Sequence, residues 1–213
     1  MLCLLLNLSL PQANAGENSQ SAQHTVLINT ILVIGDSISA GFGIDKQQGW
    51  VALLENKLQQ QTLPHPIINS RIINASISGE TSSGGANRIS KLLRQHNPSL
   101  VIIELGGNDG LRGSPIKLIK QNLSYMIKQS QQSEADVLLL GMQIPPNYGQ
   151  TYSKLFAHQY QELATTHNVG LVPFLLQGIA GVEGMMQADG IHPTQPAQII
   201  MLNNVYPAIK LIK

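Results

Sequence analysis

Ser37 stands where an apolar run, Ile31-Leu-Val-Ile34, gives way to a turn of small and polar residues, Gly-Asp-Ser-Ile-Ser-Ala-Gly, that ends at Gly41. A serine hydroxyl is a weak nucleophile at neutral pH and needs a general base within hydrogen-bond reach. The chain offers six histidines. Surface or capping roles suffice for five: His24 in a polar leader, His65 between prolines, His96 and His167 near helix ends, and His158 inside a helix. His192 differs, because Asp189 stands three residues ahead of it, with Gly190 between and Pro193 after. An aspartate so placed can hold the imidazole in the tautomer that leaves the other nitrogen free to take a proton. An isolated Asp-x-x-His also arises by chance and by helix capping.

Attack on a carbonyl develops an oxyanion, which backbone N–H groups or amide side chains stabilise by about 3–4 kcal/mol each. Gly79, in a small-residue turn, can bring a backbone N–H close to a ligand with no side chain in the way. Asn108, flanked by Gly106, Gly107 and Gly110, is an amide donor on a sharp loop. Each has an ordinary rival reading, Gly79 as a turn glycine and Asn108 as a side chain bonding its own backbone.

These residues need elements to carry them. Ile31 to Ile34 reads as a buried strand. Trp50, Leu53, Leu54 and Leu58 recur at helical spacing, predicting an amphipathic helix over 48–61 that Thr62-Leu-Pro-His-Pro66 breaks. A second strand is expected over 67–75, then a turn through Gly85 and a helix over 86–96. Leu100 to Leu105 reads as a third strand entering Gly-Gly-Asn-Asp-Gly110. Ile116, Ile119, Leu123 and Met126 mark a helix over 115–132. A fourth strand is expected over 136–142, a helix over 153–166 bearing Leu155, Phe156, Tyr160 and Leu163, and a short strand over 170–174. A last helix follows, with Thr194 as N-cap and Pro196 in its first turn. Strands alternating with helices imply an α/β fold, a five-stranded parallel sheet with helices on both faces. All strand ends then lie on one edge, where the serine turn, the Gly79 turn, the Asn108 loop and the Gln143-Ile-Pro-Pro146 loop converge.

With 213 residues, 43% hydrophobic and 12% charged, the chain suits one domain that buries about 70% of its unfolded surface without disulfides or metal. A net charge of +1 with scattered Lys and Arg argues against a nucleic-acid partner. Leu2 to Leu10 is apolar, too short to span a bilayer as a helix, and precedes Ala13-Asn14-Ala15, a small-x-small cleavage pattern. Residues 1–15 are therefore read as a signal peptide, 16–29 as a polar leader and 30–213 as the catalytic domain, placing the mature protein in the periplasm or outside the cell. Cys3, the one cysteine, leaves with the signal, which excludes thiol chemistry and a cysteine-ligated zinc.

Several segments together carry a likeness: Gly35-Asp-Ser37, Asn-Ala-Ser-Ile-Ser-Gly-Glu-Thr from Asn74, Glu-Leu-Gly-Gly-Asn-Asp-Gly-Leu-Arg-Gly from Glu104, Met-Gln-Ile-Pro-Pro-Asn-Tyr-Gly from Met142, and Asp189-Gly-Ile-His-Pro193. Their order resembles the SGNH, or GDSL-type, hydrolases, and within them the periplasmic thioesterase and lysophospholipase branch. The family name has leucine where this chain has Ile38. The resemblance implies a three-layer flavodoxin-like fold, with Ser37 as nucleophile, His192 as base and Asp189 orienting it. It also implies an oxyanion hole from the Ser37 and Gly79 N–H groups and the Asn108 amide. The expected partners are lipid or small-molecule acyl esters and thioesters with water as acyl acceptor, and no cofactor or metal is expected. Leu111, Ile144 and Pro145, following adjacent strands, are expected to line a groove for the acyl chain. Two alternatives stay open: removal of acetyl groups from carbohydrate by the same residues, and a non-catalytic anion site at the Gly-Asp-Ser turn. The latter lacks the Gly-Lys-[Ser/Thr] ending and the Gly-x-Gly-x-x-Gly fingerprint of nucleotide loops.

Overall fold

The computed structural model describes residues 29–60 and 70–209. The expected signal peptide, the leader up to residue 28, the Thr62–Pro66 break and the start of the second expected strand lie outside these residues. Five strands form one parallel sheet: β1 (Thr30–Gly35), β2 (Arg71–Asn74), β3 (Leu100–Glu104), β4 (Asp136–Leu140) and β5 (Gly170–Val172). Their spatial order is β2-β1-β3-β4-β5. The order reverses direction between β1 and β3, so the crevice at their C-terminal ends is where an open α/β sheet accepts a ligand.

β1, β3 and β4 carry unbroken apolar runs because helices cover both faces. Ile31 to Ile34 of β1 and Leu100 to Ile103 of β3 are wholly buried. On one side α3 (Ser82–His96), α5 (Ile116–Gln132) and α6 (Gln150–His167) pack against one another in a row; on the other, α2 (Trp50–Gln59) packs with α7 (Ala197–Ile209). Two very short helices, α1 (Ser37–Ala40) and α4 (Gly107–Leu111), start directly after β1 and β3.

Three local expectations change. The helix expected from residue 86 begins at Ser82, capped by the Thr81 hydroxyl, which accepts from Gly84 N–H. Gly84 and Gly85 read as turn residues in sequence, yet Gly85 is the point where α3 touches the sheet. A Cβ there would lie 2.3 Å from Leu105 Cδ1. Leu155, expected on the buried face of α6, is exposed, while Phe156, Tyr160 and Leu163 are buried. Thr194 does not cap α7 with its hydroxyl; that group donates to the Gly184 carbonyl and braces the loop before the helix.

Candidate active site

β1 delivers the nucleophile turn. Its last residue, Gly35, is followed by Asp36, whose side chain caps α1 by accepting from Ile38 N–H at 3.0 Å. Ser37 is the first residue of α1, so its N–H belongs to the set a helix cannot satisfy internally. From β2, Asn74 Nδ2 donates to the Ser39 carbonyl at 2.8 Å and ties α1 to the sheet.

His192 arrives from the other end of the chain. His192 Nε2 lies 2.8 Å from Ser37 Oγ, across 155 residues of sequence. On the other side of the ring, Nδ1 lies 2.6 Å from Asp189 Oδ2. Asp189 also accepts from the N–H groups of Ile191 (2.9 Å) and His192 (3.0 Å) through Oδ1. The His192 ring and these amides together hold the Asp189 carboxyl down at about 2. An ionised Asp189 fixes the proton on Nδ1 and leaves Nε2 as acceptor for the serine hydroxyl. The aromatic ring of Phe42 packs on the imidazole, with ring centroids 4.4 Å apart.

Asn108 sits in α4, after β3. Its amide donates to Asp36 Oδ2 at 3.1 Å and to the Glu80 carbonyl at 3.0 Å. The two bonds tie together the nucleophile turn, the turn after β2 and the β3 loop. Asn108 therefore bonds distant segments and not its own backbone. Both amide hydrogens are engaged in this scaffold, and either would reach a ligand oxygen only by sharing. Gly79 adopts φ 78°, and a Cβ there would meet no atom within 4 Å. Its carbonyl accepts from Arg112, one turn past Asn108.

A cleft of about 420 Å³ opens beside Ser37. Asn108, His192, Leu111, Ile144 and Pro145 all line it, joined by Met142, Phe174, Leu176 and Met186. Gly79 is not among the lining residues. A larger space of about 510 Å³ lies on the other side of α1, bounded by Ser39, Lys46, Glu55 and Asn74, but neither Ser37 nor His192 borders it. Ser37 and His192 both border the smaller one.

Three acidic residues matter here that the sequence reading did not assign. Glu104 closes β3, is wholly buried, and accepts from Asp36 N–H (3.2 Å) and Ser39 Oγ (2.8 Å). Burial, then the charge of Asp36, push its carboxyl well above the ordinary range. Burial likewise pushes Asp36 up to about 6, against the lowering effects of Ile38 N–H, His192, Glu104 and Asn108. Asp109 fixes the neighbouring loop, its two oxygens accepting from Ser82 N–H and Ser82 Oγ at 2.8 Å each. The signal for Glu104 was a lone acid ending an otherwise apolar strand.

Known proteins with the same pattern place the chain. The model of the GDSL-like Lipase/Acylhydrolase family matches residues 33–198. Esterase TesA of Pseudomonas aeruginosa is 51% identical over 181 residues, covering 85% of this chain and 88% of that protein. Thioesterase 1/protease 1/lysophospholipase L1 of Escherichia coli K12 is 40% identical over 170 residues, covering 80% and 78%. Among solved structures, that of TesA superposes with a TM-score of 0.81 at 50% identity, covering 85% of this chain and 98% of the other. That of the psychrotrophic esterase EstA from Pseudoalteromonas sp., inhibited by monoethylphosphonate, does so with 0.79 at 42% identity, covering 85% and 97%. With a serine turn after β1, an Asp-x-x-His loop before the last helix and this breadth of likeness, the chain belongs to the GDSL-like lipase/acylhydrolase family.

Proposed function

We propose that this protein hydrolyses fatty acyl esters and thioesters through an acyl-enzyme on Ser37. The observation that carries the reading is the unbroken chain Ser37 Oγ, His192 Nε2, His192 Nδ1, Asp189 Oδ2, with steps of 2.8 and 2.6 Å. The names of the relatives, an esterase and a thioesterase/lysophospholipase, agree with it.

Ser37 Oγ attacks the carbonyl carbon as its proton passes to His192 Nε2, and the carbonyl electron pair becomes an oxyanion. The Ser37 and Gly79 N–H groups and a shared Asn108 N–H stabilise that charge. Collapse of the intermediate expels the alkoxide or thiolate, which takes the proton from His192. Water then gives a proton to His192, attacks the acyl carbon, and the second collapse returns the proton to Ser37 Oγ. Asp189 stays ionised throughout and stabilises the imidazolium at each stage.

The cleft favours an acyl chain over a sugar. Leu111, Ile144, Pro145, Met142, Phe174 and Leu176 offer apolar surface and few groups to bond hydroxyls. An anion site at the Gly-Asp-Ser turn is disfavoured, because the Asp36 N–H already donates to Glu104 Oε2 and the Ile38 N–H to Asp36 Oδ1. Labelling by a fluorophosphonate probe tests the nucleophile: the wild type is labelled and Ser37→Ala is not. Hydrolysis of p-nitrophenyl esters is expected to fall about 10⁴–10⁶-fold in Ser37→Ala; activity within tenfold of wild type rejects the assignment.

No helix among the described residues is long and apolar enough to cross a membrane. Export rests on Leu2–Leu10 and Ala13-Asn14-Ala15, and N-terminal sequencing of the exported protein, expected to begin near Gly16, tests it.

A further inference from the structure

The loop bearing His192 is closed on itself. Met186 bridges Pro193, Gln187 N–H donates to the His192 carbonyl at 2.7 Å, Gly190 N–H donates to the Gln187 carbonyl at 2.9 Å, and Thr194 N–H donates to the Met185 carbonyl at 2.9 Å. These bonds shape the loop but do not say where it sits relative to Ser37. Among the described residues, only one hydrogen bond besides that of the reacting pair joins segment 184–194 to the nucleophile turn, 36–44. Gln187 Nε2 donates to the Phe42 carbonyl at 2.8 Å, and the same nitrogen donates to the Pro193 carbonyl at 3.0 Å. Both neighbours of that atom are carbonyl oxygens, so only an NH₂ group fits there. The other end of the amide is equally confined: a Cβ on Gly43 would lie 2.4 Å from Gln187 Oε1.

We propose that Gln187 is a positioning residue, whose amide docks the base loop on the serine turn and thereby sets the separation of His192 Nε2 from Ser37 Oγ. One hydrogen of the NH₂ grips the residue next to His192, and the other grips the residue whose ring lies against the imidazole. Removing the amide leaves the loop's backbone bonds intact but frees the loop from the serine turn and loosens its hold on Pro193, and small displacements of a catalytic pair are costly in rate. Binding of the acyl chain is untouched, since Gln187 does not line the cleft. The proposal rests on Ser37 and His192 being nucleophile and base.

The test measures kcat, KM and melting temperature for Gln187→Met, which keeps the length and volume without donors, and for Gln187→Glu, whose carboxylate faces two carbonyl oxygens. Gln195→Met is the control. The expected result is a kcat lowered about 10–100-fold in Gln187→Met, with KM within twofold, a melting temperature within a few degrees, and a parallel fall in fluorophosphonate labelling rate. Gln187→Glu is expected to lose at least as much, while the control stays at wild type. A kcat within threefold of wild type in both variants overturns the proposal. So does a loss shared equally between kcat and KM, or one explained by a collapse in melting temperature, either of which marks a general structural role. If Ser37→Ala remains active, the reading of the site itself fails; if it is inactive while the Gln187 variants are normal, only the docking role does.

Discussion

Replacing Asp189 by asparagine separates orientation of the base from the shape of its loop. In the wild type, Oδ1 accepts from Ile191 N–H at 2.9 Å and His192 N–H at 3.0 Å, while Oδ2 faces His192 Nδ1 at 2.6 Å. An asparagine keeps its oxygen toward the two backbone donors, because its NH₂ cannot accept them. The NH₂ is then turned to Nδ1, which must accept. The imidazole proton moves to Nε2, the nitrogen 2.8 Å from Ser37 Oγ, and the base loses its lone pair where it is needed. The matching change in other serine triads costs about 10⁴-fold, and we expect about 10³–10⁴-fold in kcat/KM here, or about 4–5.5 kcal/mol of transition-state stabilisation. Folding stability is expected to change little, since the Asp189 side chain is 39% exposed and surface groups contribute little. The assay is initial-rate hydrolysis of a p-nitrophenyl ester beside the second-order rate of fluorophosphonate labelling, with thermal melting as control. A fall of less than tenfold in an intact fold would refute the reasoning about the tautomer.

Leu111→Asp, placing a charge in the cleft, is expected to lower kcat/KM for long p-nitrophenyl esters at least tenfold more than for the acetate, because it removes apolar contact along the chain. An unchanged chain-length profile would take Leu111 out of the binding site. Asp109→Ala is expected to lower stability by about 1–3 kcal/mol by leaving the Ser82 N–H and O–H donors without an acceptor, read by chemical denaturation. It should also reduce activity by loosening Asn108. The buried pair Asp36 and Glu104 gives a pH signature. Both carboxyls are raised in the folded state, so the stability they contribute is fully present below pH 3.8 and lost as pH rises through about 6 for Asp36. For Asp36 this is up to about 3 kcal/mol. Glu104→Gln, which mimics the neutral form and removes the neighbouring charge, is expected to flatten the decline of melting temperature between pH 4 and 7; identical slopes would contradict it.

The sheet was legible because its central strands are continuous apolar runs of strand length between small or polar loops, as in Ile31–Ile34 and Leu100–Leu105. That Ser37, Asp189 and His192 would meet was legible because of their types and local spacing, together with the family likeness. Residues whose role depends on partners far along the chain were not. Gly84 and Gly85 looked like a turn locally, but both lie in α3, and the approach of Leu105, just after β3, makes Gly85 a helical packing residue. Glu104 looked like a strand end, and only the fold puts it beneath Asp36 and Ser39. Gln187 is one of many glutamines until Phe42 comes within reach of it, 145 residues away in sequence.

The nucleophile follows the first strand of the sheet, whereas the base precedes the last helix. Any fragment ending before His192 therefore carries a serine with nothing to remove its proton. A ribosome must complete almost the whole polypeptide, and the sheet must close around it, before the first ester can be cut.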